Sequence, residues 1–525
     1  MVDWHTVRTE RTVLVIVHNT TAATRLFDIL PLFATDPRIQ TVFTCPGSSA
    51  FTAGTHEYLA KAGIEVLPWE TALRMPADLA ISASYGGGLH DVAAPLMVVP
   101  HGMGYNKYLE SEGRGGVFGL SGEWLTHDGR VVPSVIVLSH EEQLDRLIRA
   151  CPEAAANAIV AGDPCFDRML ASLPLRESYR QAFGLEPGQR LIVVSSTWGD
   201  ASLFGSDPEL VRRLAATLDL DGYRLAVALH PNITAHHSPW QVRIWLEDCR
   251  RAGVLVLPDE QWWGAALVAA DLTVGDHGSV SFYSAALGLP LLLAAAPENA
   301  VAPDSPIAGL LAAAPRLGAD PRRQIDEAIK DHDPATLAAI TGLTTSLPGG
   351  SNRTLSDAIY RRLRLRSPGE PETRALPIPE ADIPEPRAHL VRIRSWGDHA
   401  EATRFPAVAL REPGRAPRYT HLVVDTREPS ARLLDLADIV VHDHPRDARR
   451  WVGETLRSLT GCSLAVARDG DTWLAGDGDG FLVRLSDLTG PAPVFAAALQ
   501  GHPGGAEIRV ELGGTLRTAT VTVLR

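Results

Sequence analysis

Asp271–Leu293 reads DLTVGDHGSVSFYSAALGLPLLL. A short apolar run, Leu272–Val274, ends in Gly-Asp-His-Gly-Ser. A helical segment of small residues, Val280–Leu287, comes next, and Leu289–Ala294 is a second apolar run. Two continuous apolar strands joined through a helix form the unit of a parallel sheet covered on both faces. In such sheets ligands bind beyond the carboxyl ends of the strands, and the acid, imidazole, bare backbone and hydroxyl of Asp276–Ser279 lie at such an end.

The same alternation runs outward in both directions. Upstream, Arg190–Ser195, Tyr223–Leu229 and Val254–Leu257 read as strands, with helices over Glu209–Leu218, Gln241–Gly253 and Trp262–Ala270. An earlier series has strands at Val13–Val17, Gln40–Thr44, Ile64–Leu67, Leu79–Ser82, Leu96–Val99 and Ser134–Leu138, with helices at Thr20–Phe33 and His56–Ala62. The restart predicts an α/β protein with two Rossmann-like lobes facing one another across a cleft. The chain divides into residues 1–175 and 176–366, with the boundary in Ser172–Leu185. Beyond residue 366, Pro368, Pro371, Pro377, Pro379, Pro384 and Pro386 stand among Glu and Arg residues. That spacing holds neither a helix nor a central strand, so 367–387 reads as an extended, exposed linker. Residues 388–525 read as a separate, smaller, β-rich α+β domain. Its runs Ser463–Arg468, Trp473–Ala475 and Phe481–Leu485, joined by Gly/Asp turns, suggest a β-meander.

Composition narrows the function. The 525 residues carry a net charge of −13, and 45% are hydrophobic and 21% charged. This acidic balance argues against nucleic-acid binding, which needs a basic face, and against adsorption to anionic membranes. The five cysteines are scattered without CxxC spacing, which fits a reducing cytoplasm better than a disulfide framework or a zinc site. The start of the chain, MVDWHTVRTERTVLVIV, does not resemble a signal peptide, and no apolar run is long enough for an integral membrane segment.

Several strand ends offer chemistry. After the Asp276–His277–Gly278 turn, Gly278 admits close backbone approach, and the N–H groups of Ser279 and Val280 open a helix. A helix N-terminus of this kind suits a phosphate, although the Ser279 hydroxyl could equally cap its own helix. In ALHPN (Ala228–Asn232), His230 ends a strand ahead of Pro231; it can donate to a phosphate oxygen, act as an acid, or rest on a carbonyl. In VVPHGMGYNK (Val98–Lys107), His101 and Gly102 end a strand and Lys107 follows one loop later. A base and a cation there suit deprotonation of a hydroxyl acceptor, the alternative being a structural turn. SYGGG (Ser84–Gly88) lacks GxGxxG spacing and reads as a loop. His442 and His444 in VVHDHP lack a third metal ligand, and GDGDG (Gly476–Gly480) reads as a hairpin turn.

Five pieces, in order, resemble the CDP-glycerol glycerophosphotransferases that polymerise teichoic acids: PHGMGYNK, VAGDPCFDRML, LIVVSSTWGD, ALHPN and AADLTVGDHGSVSFYSAALGLPLLL. The resemblance implies a GT-B fold whose last helices before the linker cross back onto the first lobe. It implies a nucleotide-diphospho donor held in the second lobe by His230 and the Asp276–Ser279 loop, and His101 as acceptor base. His277 and Gly278 replace the family's Tyr and Ser, Cys165 stands where Arg is usual, and Gly199 follows Trp198 where another Arg belongs. The expectation is therefore a metal-independent GT-B transferase that moves a glycosyl or glycerophosphate group from a nucleotide-activated donor to a small-molecule or glycan hydroxyl. A nucleotide-sugar 2-epimerase-like enzyme and a non-catalytic nucleotide-sugar sensor or assembly module are the alternatives.

Overall fold

The computed structural model describes residues 7–47, 54–108, 116–258, 262–396, 399–412, 420–499 and 507–524. In the first lobe seven strands pair in parallel. Their order across the sheet is Val66–Leu67, Ile39–Thr44, Arg11–Ile16, Leu79–Ser82, Leu96–Val98, Val135–Leu138 and Ala158–Val160. The second sheet is also parallel, in the order Leu255–Val256, Tyr223–Leu229, Arg190–Ser196, Leu272–Gly275 and Leu291–Leu293. In both sheets the strand order reverses beside the first strand. The crevice at such a reversal is where doubly wound sheets bind ligands. In the second lobe it lies between the ends of Arg190–Ser196 and Leu272–Gly275, so it is flanked by Thr197 and Asp276.

One boundary differs from the sequence reading. The chain leaves the first lobe at Gly162, ahead of Ser172–Leu185. Helix Pro164–Ser172, capped by Asp163, buries Cys165, Phe166 and Met169 in one core with Leu191, Val193 and the helix Trp263–Ala269. Helix Ser351–Leu363 returns to the first lobe, where Leu355, Ile359 and Leu363 pack with Val13, Val15 and Leu26. Tyr360 Oη donates to Asp36 at 3.0 Å across that contact.

The Pro-rich stretch carries neither helix nor strand and many of its residues are exposed, but it does not run free of the second lobe. Leu376, Ala381 and Ile383 pack against the second-lobe core, and Tyr179 Oη donates to the Leu376 carbonyl at 2.6 Å. The Leu376 N–H in turn donates to Ser172 Oγ at 2.9 Å. Proline removes donors but leaves carbonyls and apolar rings, so a chain without secondary structure can still adhere as a strap.

Beyond the strap, nine strands form a closed barrel. Ala388–Trp396 pairs with both His399–Pro406 and Thr420–Asp425. The expected meander is present in Leu464–Asp469, Thr472–Gly476 and Leu482–Ser486, although Thr420–Asp425, Ile439–His442 and Leu464–Asp469 run parallel. Every residue of helix Ala492–Leu499 except Pro493 is buried, and the helix shares a core with inward residues from every barrel strand. It fills the barrel. The barrel is docked on the second lobe by ion pairs: Arg404–Asp221 at 2.5 Å, Arg212–Glu412 at 2.7 Å, and Arg251–Glu428. Among the described residues no helix is long and apolar enough to cross a membrane.

Candidate functional site

The second-lobe side of the site is built around Asp276, which is 1% exposed. Its Oδ2 accepts from the N–H groups of Thr197 (2.8 Å) and Leu203 (2.9 Å), and its Oδ1 from that of Gly278 (2.9 Å). The carboxylate therefore staples two strand-end loops together, a role different from the donor contact assigned to it from sequence. Its desolvation raises its pKa, while these N–H groups and Lys107 oppose the rise. Ser281 Oγ accepts from Asp276 N at 3.0 Å and closes the turn. Gly278 sits in tight space: a Cβ there would lie 3.1 Å from Asp276 Oδ1 and 3.3 Å from Thr197 Cβ. Helix Ser279–Ala286 opens with no side-chain cap, so Ser279 does not cap its own helix.

Ser279 Oγ instead accepts from the N–H of Met103 in the first lobe at 3.2 Å. Gly102 lies against the same hydroxyl, which a Cβ at that position would approach to 2.7 Å. Four residues on, Lys107 Nζ donates to Thr197 Oγ1 at 2.9 Å. The Gly102–Lys107 loop thus lies directly on the phosphate-type turn of the second lobe, and the lobes touch where a ligand was expected. Burial lowers the Lys107 pKa, partly offset by Asp276.

Three imidazoles surround this ammonium. His230 caps helix Pro231–His237 by accepting the Asn232 N–H on Nδ1 at 3.1 Å. Its proton therefore sits on Nε2 when the ring is neutral. Burial, Lys107 and His101 push its pKa down to about 3. His101 is exposed. The surrounding protein still desolvates it, and with Lys107, Arg25 and His18 pushes its pKa down to about 4, while a bond to the Ala83 carbonyl acts the other way. His277 is 5% exposed and its Nδ1 has no partner among the described residues; burial and Lys107 take its pKa to about 3. At neutral pH the site holds three neutral imidazoles beside the Lys107 amine. Val280 follows Ser279 in the first helical turn and is partly buried against the second-lobe core.

Sequence reasoning missed three residues. His18 ends the Arg11–Ile16 strand as His101 and His230 end theirs, the one signal that could have found it; it is 2% exposed with a pKa near 4. Arg25 reaches from the first lobe to Cys165, with Asp28, Asp163 and Tyr283 around it, and stacks over Trp263 at 5.4 Å. A guanidinium therefore does stand beside Cys165, supplied by the other lobe. Tyr283 Oη donates to Asp163 Oδ2 at 2.6 Å. Of the weaker motifs, SYGGG lies beside His18, whose Nε2 is 3.4 Å from the Gly86 carbonyl. Asp477 Oδ1 accepts from Asp479 and Phe481 N–H groups in the GDGDG turn. Among the described residues no group of three His, Cys, Asp or Glu side chains is placed to hold a metal ion.

No protein-family model matches the chain, and no curated protein does. Among solved structures it is similar to the wall teichoic acid polymerase TagF in a CDPG-soaked variant, at 11% identity over 68% of this chain and 90% of that one, with a TM-score of 0.47. It is also similar to S. aureus MnaA with UDP (11%, 69% and 99%, TM-score 0.39). A third is the UDP-GlcNAc 2-epimerase of Neisseria meningitidis bound to UDP-GlcNAc (12%, 67% and 100%, TM-score 0.42). These are likenesses of overall shape at low identity.

Proposed function

We propose that the chain is a GT-B-type transferase that moves a group from a nucleotide-diphospho donor to a hydroxyl acceptor. The observation that carries this reading is the meeting of two strand edges at one point. His101 and Lys107 of the first lobe face Thr197, His230 and the Gly278–Ser279 turn of the second across the strand-order reversal. The donor's diphosphate takes the place of the Met103–Ser279 contact when the lobes part. There it meets the uncapped helix N-terminus, the Ser279 hydroxyl and the Lys107 ammonium. His230 Nε2–H donates to the leaving oxygen. A nitrogen of His101 takes the proton of the attacking hydroxyl as the new bond forms and the old one breaks, at the sugar–diphosphate bond in glycosyl transfer or within the diphosphate in glycerophosphate transfer. Burial is the larger cause of the low basicity of His101 and Lys107 the next; a diphosphate between Lys107 and the imidazoles offsets the second, so donor binding raises the basicity of His101. The motifs PHGMGYNK, ALHPN and VGDHGS support the same reading through their resemblance to the glycerophosphotransferases.

Epimerase chemistry calls for an acid near the sugar, and the acid in this loop, Asp276, has both oxygens occupied by backbone N–H groups. The sensor reading has one observation in its favour, the first-lobe loop seated on Ser279. Calorimetry and turnover with CDP-glycerol and UDP-, GDP- and dTDP-sugars separate the possibilities. His230→Ala should weaken donor binding, whereas His101→Ala should keep it and slow transfer by about a hundredfold or more. Donor binding without transfer to any hydroxyl makes the chain a sensor. Donor affinity unchanged by His230→Ala removes the site.

A further inference from the structure

The barrel and the second lobe enclose a cavity of about 490 Å³, within the range of small-molecule sites. Leu218 and Leu225 of the lobe, Pro384 and Pro386 of the strap, and Leu512 of the barrel supply apolar wall. Arg404 and Asp221 also line it, but they are joined to each other by three hydrogen bonds of 2.5–3.1 Å. Three other polar side chains lining it are not satisfied in this way. Arg224 Nε, Arg517 Nε and His389 Nε2 are buried and have no partner among the described residues. His389 is 8% exposed. Arg517 is oriented by its Nη1, which donates to the Thr489 carbonyl at 2.9 Å. Glu186 and Glu385 stand at the exposed rim of the same cavity, and no ion pair joins them to either arginine among the described residues.

Buried donors without acceptors are rare in native proteins, because each loses its hydration without replacement. Two guanidiniums whose buried Nε groups are left so in one cavity, with Glu186 and Glu385 acting on Arg224 only through space from the exposed rim, ask for an anion. We infer that this cavity binds a small organic anion, its carboxylate or phosphate against Arg224, Arg517 and His389 and its apolar part on Leu218 and Leu225. His389 is a neutral hydrogen-bonding group there at neutral pH, since burial and Arg404 take its pKa to about 3. Lobe, strap and barrel all contribute walls, so an occupant ties the barrel to the lobe. This site is separate from the cleft and does not depend on the reaction proposed there.

The test uses the full chain and three probes at matched ionic strength: inorganic phosphate, pyrophosphate and citrate. Calorimetry should detect saturable binding of the phosphoryl probes or of the carboxylate probe, which identifies the head group. Hydrogen exchange should slow at 218–225, 384–391 and 512–518. Arg224→Gln and Arg517→Gln should each weaken binding by about tenfold or more. No binding by any probe up to about 10 mM, or protection confined to 101–107 and 276–280, overturns the inference. If an arginine variant fails to fold, the exchange map of the unaltered chain decides alone.

Discussion

Asp163 illustrates what single residues do at the lobe junction. One carboxylate oxygen caps helix Pro164–Ser172 through the N–H groups of Cys165 and Phe166, and the other accepts from Tyr283. Burial pushes its pKa up, and Arg25 and Tyr283 counter that. Tyr283→Phe removes one donor from a buried carboxylate and should cost about 1–3 kcal/mol in urea unfolding; an unchanged midpoint would show that Arg25 alone suffices. Asp276→Asn should cost a similar amount, about 1–3 kcal/mol, because an amide must turn an NH₂ toward a backbone N–H that the carboxylate now accepts. At this scale the sequence was legible where a polar residue ended an apolar run: His101, His230 and Asp276–Ser279 do converge on one place. It was illegible for Arg25, which sits inside an ordinary helical pattern and gains its meaning from Cys165, 140 positions away in the chain. Nor could spacing reveal that Asp276 bonds backbone and that Ser279 bonds the opposite lobe.

Among elements, the buried parallel strands were easiest to read, since both faces demand apolar side chains: Leu79–Ser82 and Tyr223–Leu229 have the bounds expected of them. Ala158–Val160 went unseen because it is three residues long and half-buried. Helix Ala492–Leu499 is enclosed by strands and has no polar face, so APVFAAAL has no period to read. The strap makes a prediction of its own. With Leu376 and Ile383 seated against the second lobe, limited proteolysis of the native chain should leave 371–386 uncut, any early cut falling in the exposed 368–370. The fragments should still co-elute on size exclusion, held by the ion pairs of the barrel. Early cuts at Ala375–Ile378, with the barrel eluting alone, would restore the free-linker description.

The whole molecule carries a set of histidines held neutral by burial. His18, His277 and His389 have pKa values of about 4, 3 and 3, against 6.5 when unfolded. Between pH 6.5 and about 4 the unfolded chain binds protons that the folded chain refuses. Stability must therefore fall as pH falls through this window, each group adding a slope of up to about 1.4 kcal/mol per pH unit. Asp36, held down to about 2 by Arg38, adds a further loss only below its ordinary value near 3.8. Denaturation midpoints from pH 7 to 4 should decline steadily, and His18→Gln should flatten the decline; a constant midpoint over that range contradicts the burial of these rings.

The return of helix Ser351–Leu363 to the first lobe has a consequence for biosynthesis. The last strand of the first sheet, Ala158–Val160, leaves the ribosome about 190 residues before that helix begins. At translation rates of about 5–20 residues per second, the wait is roughly ten to forty seconds. Throughout it, Val13, Val15 and Leu26 lack the cover that Leu355 and Ile359 later give them. The first lobe is thus the first part made and among the last completed. Nascent chains arrested before residue 350 should engage chaperones through a lobe whose strands are all present and whose lid has not yet been translated.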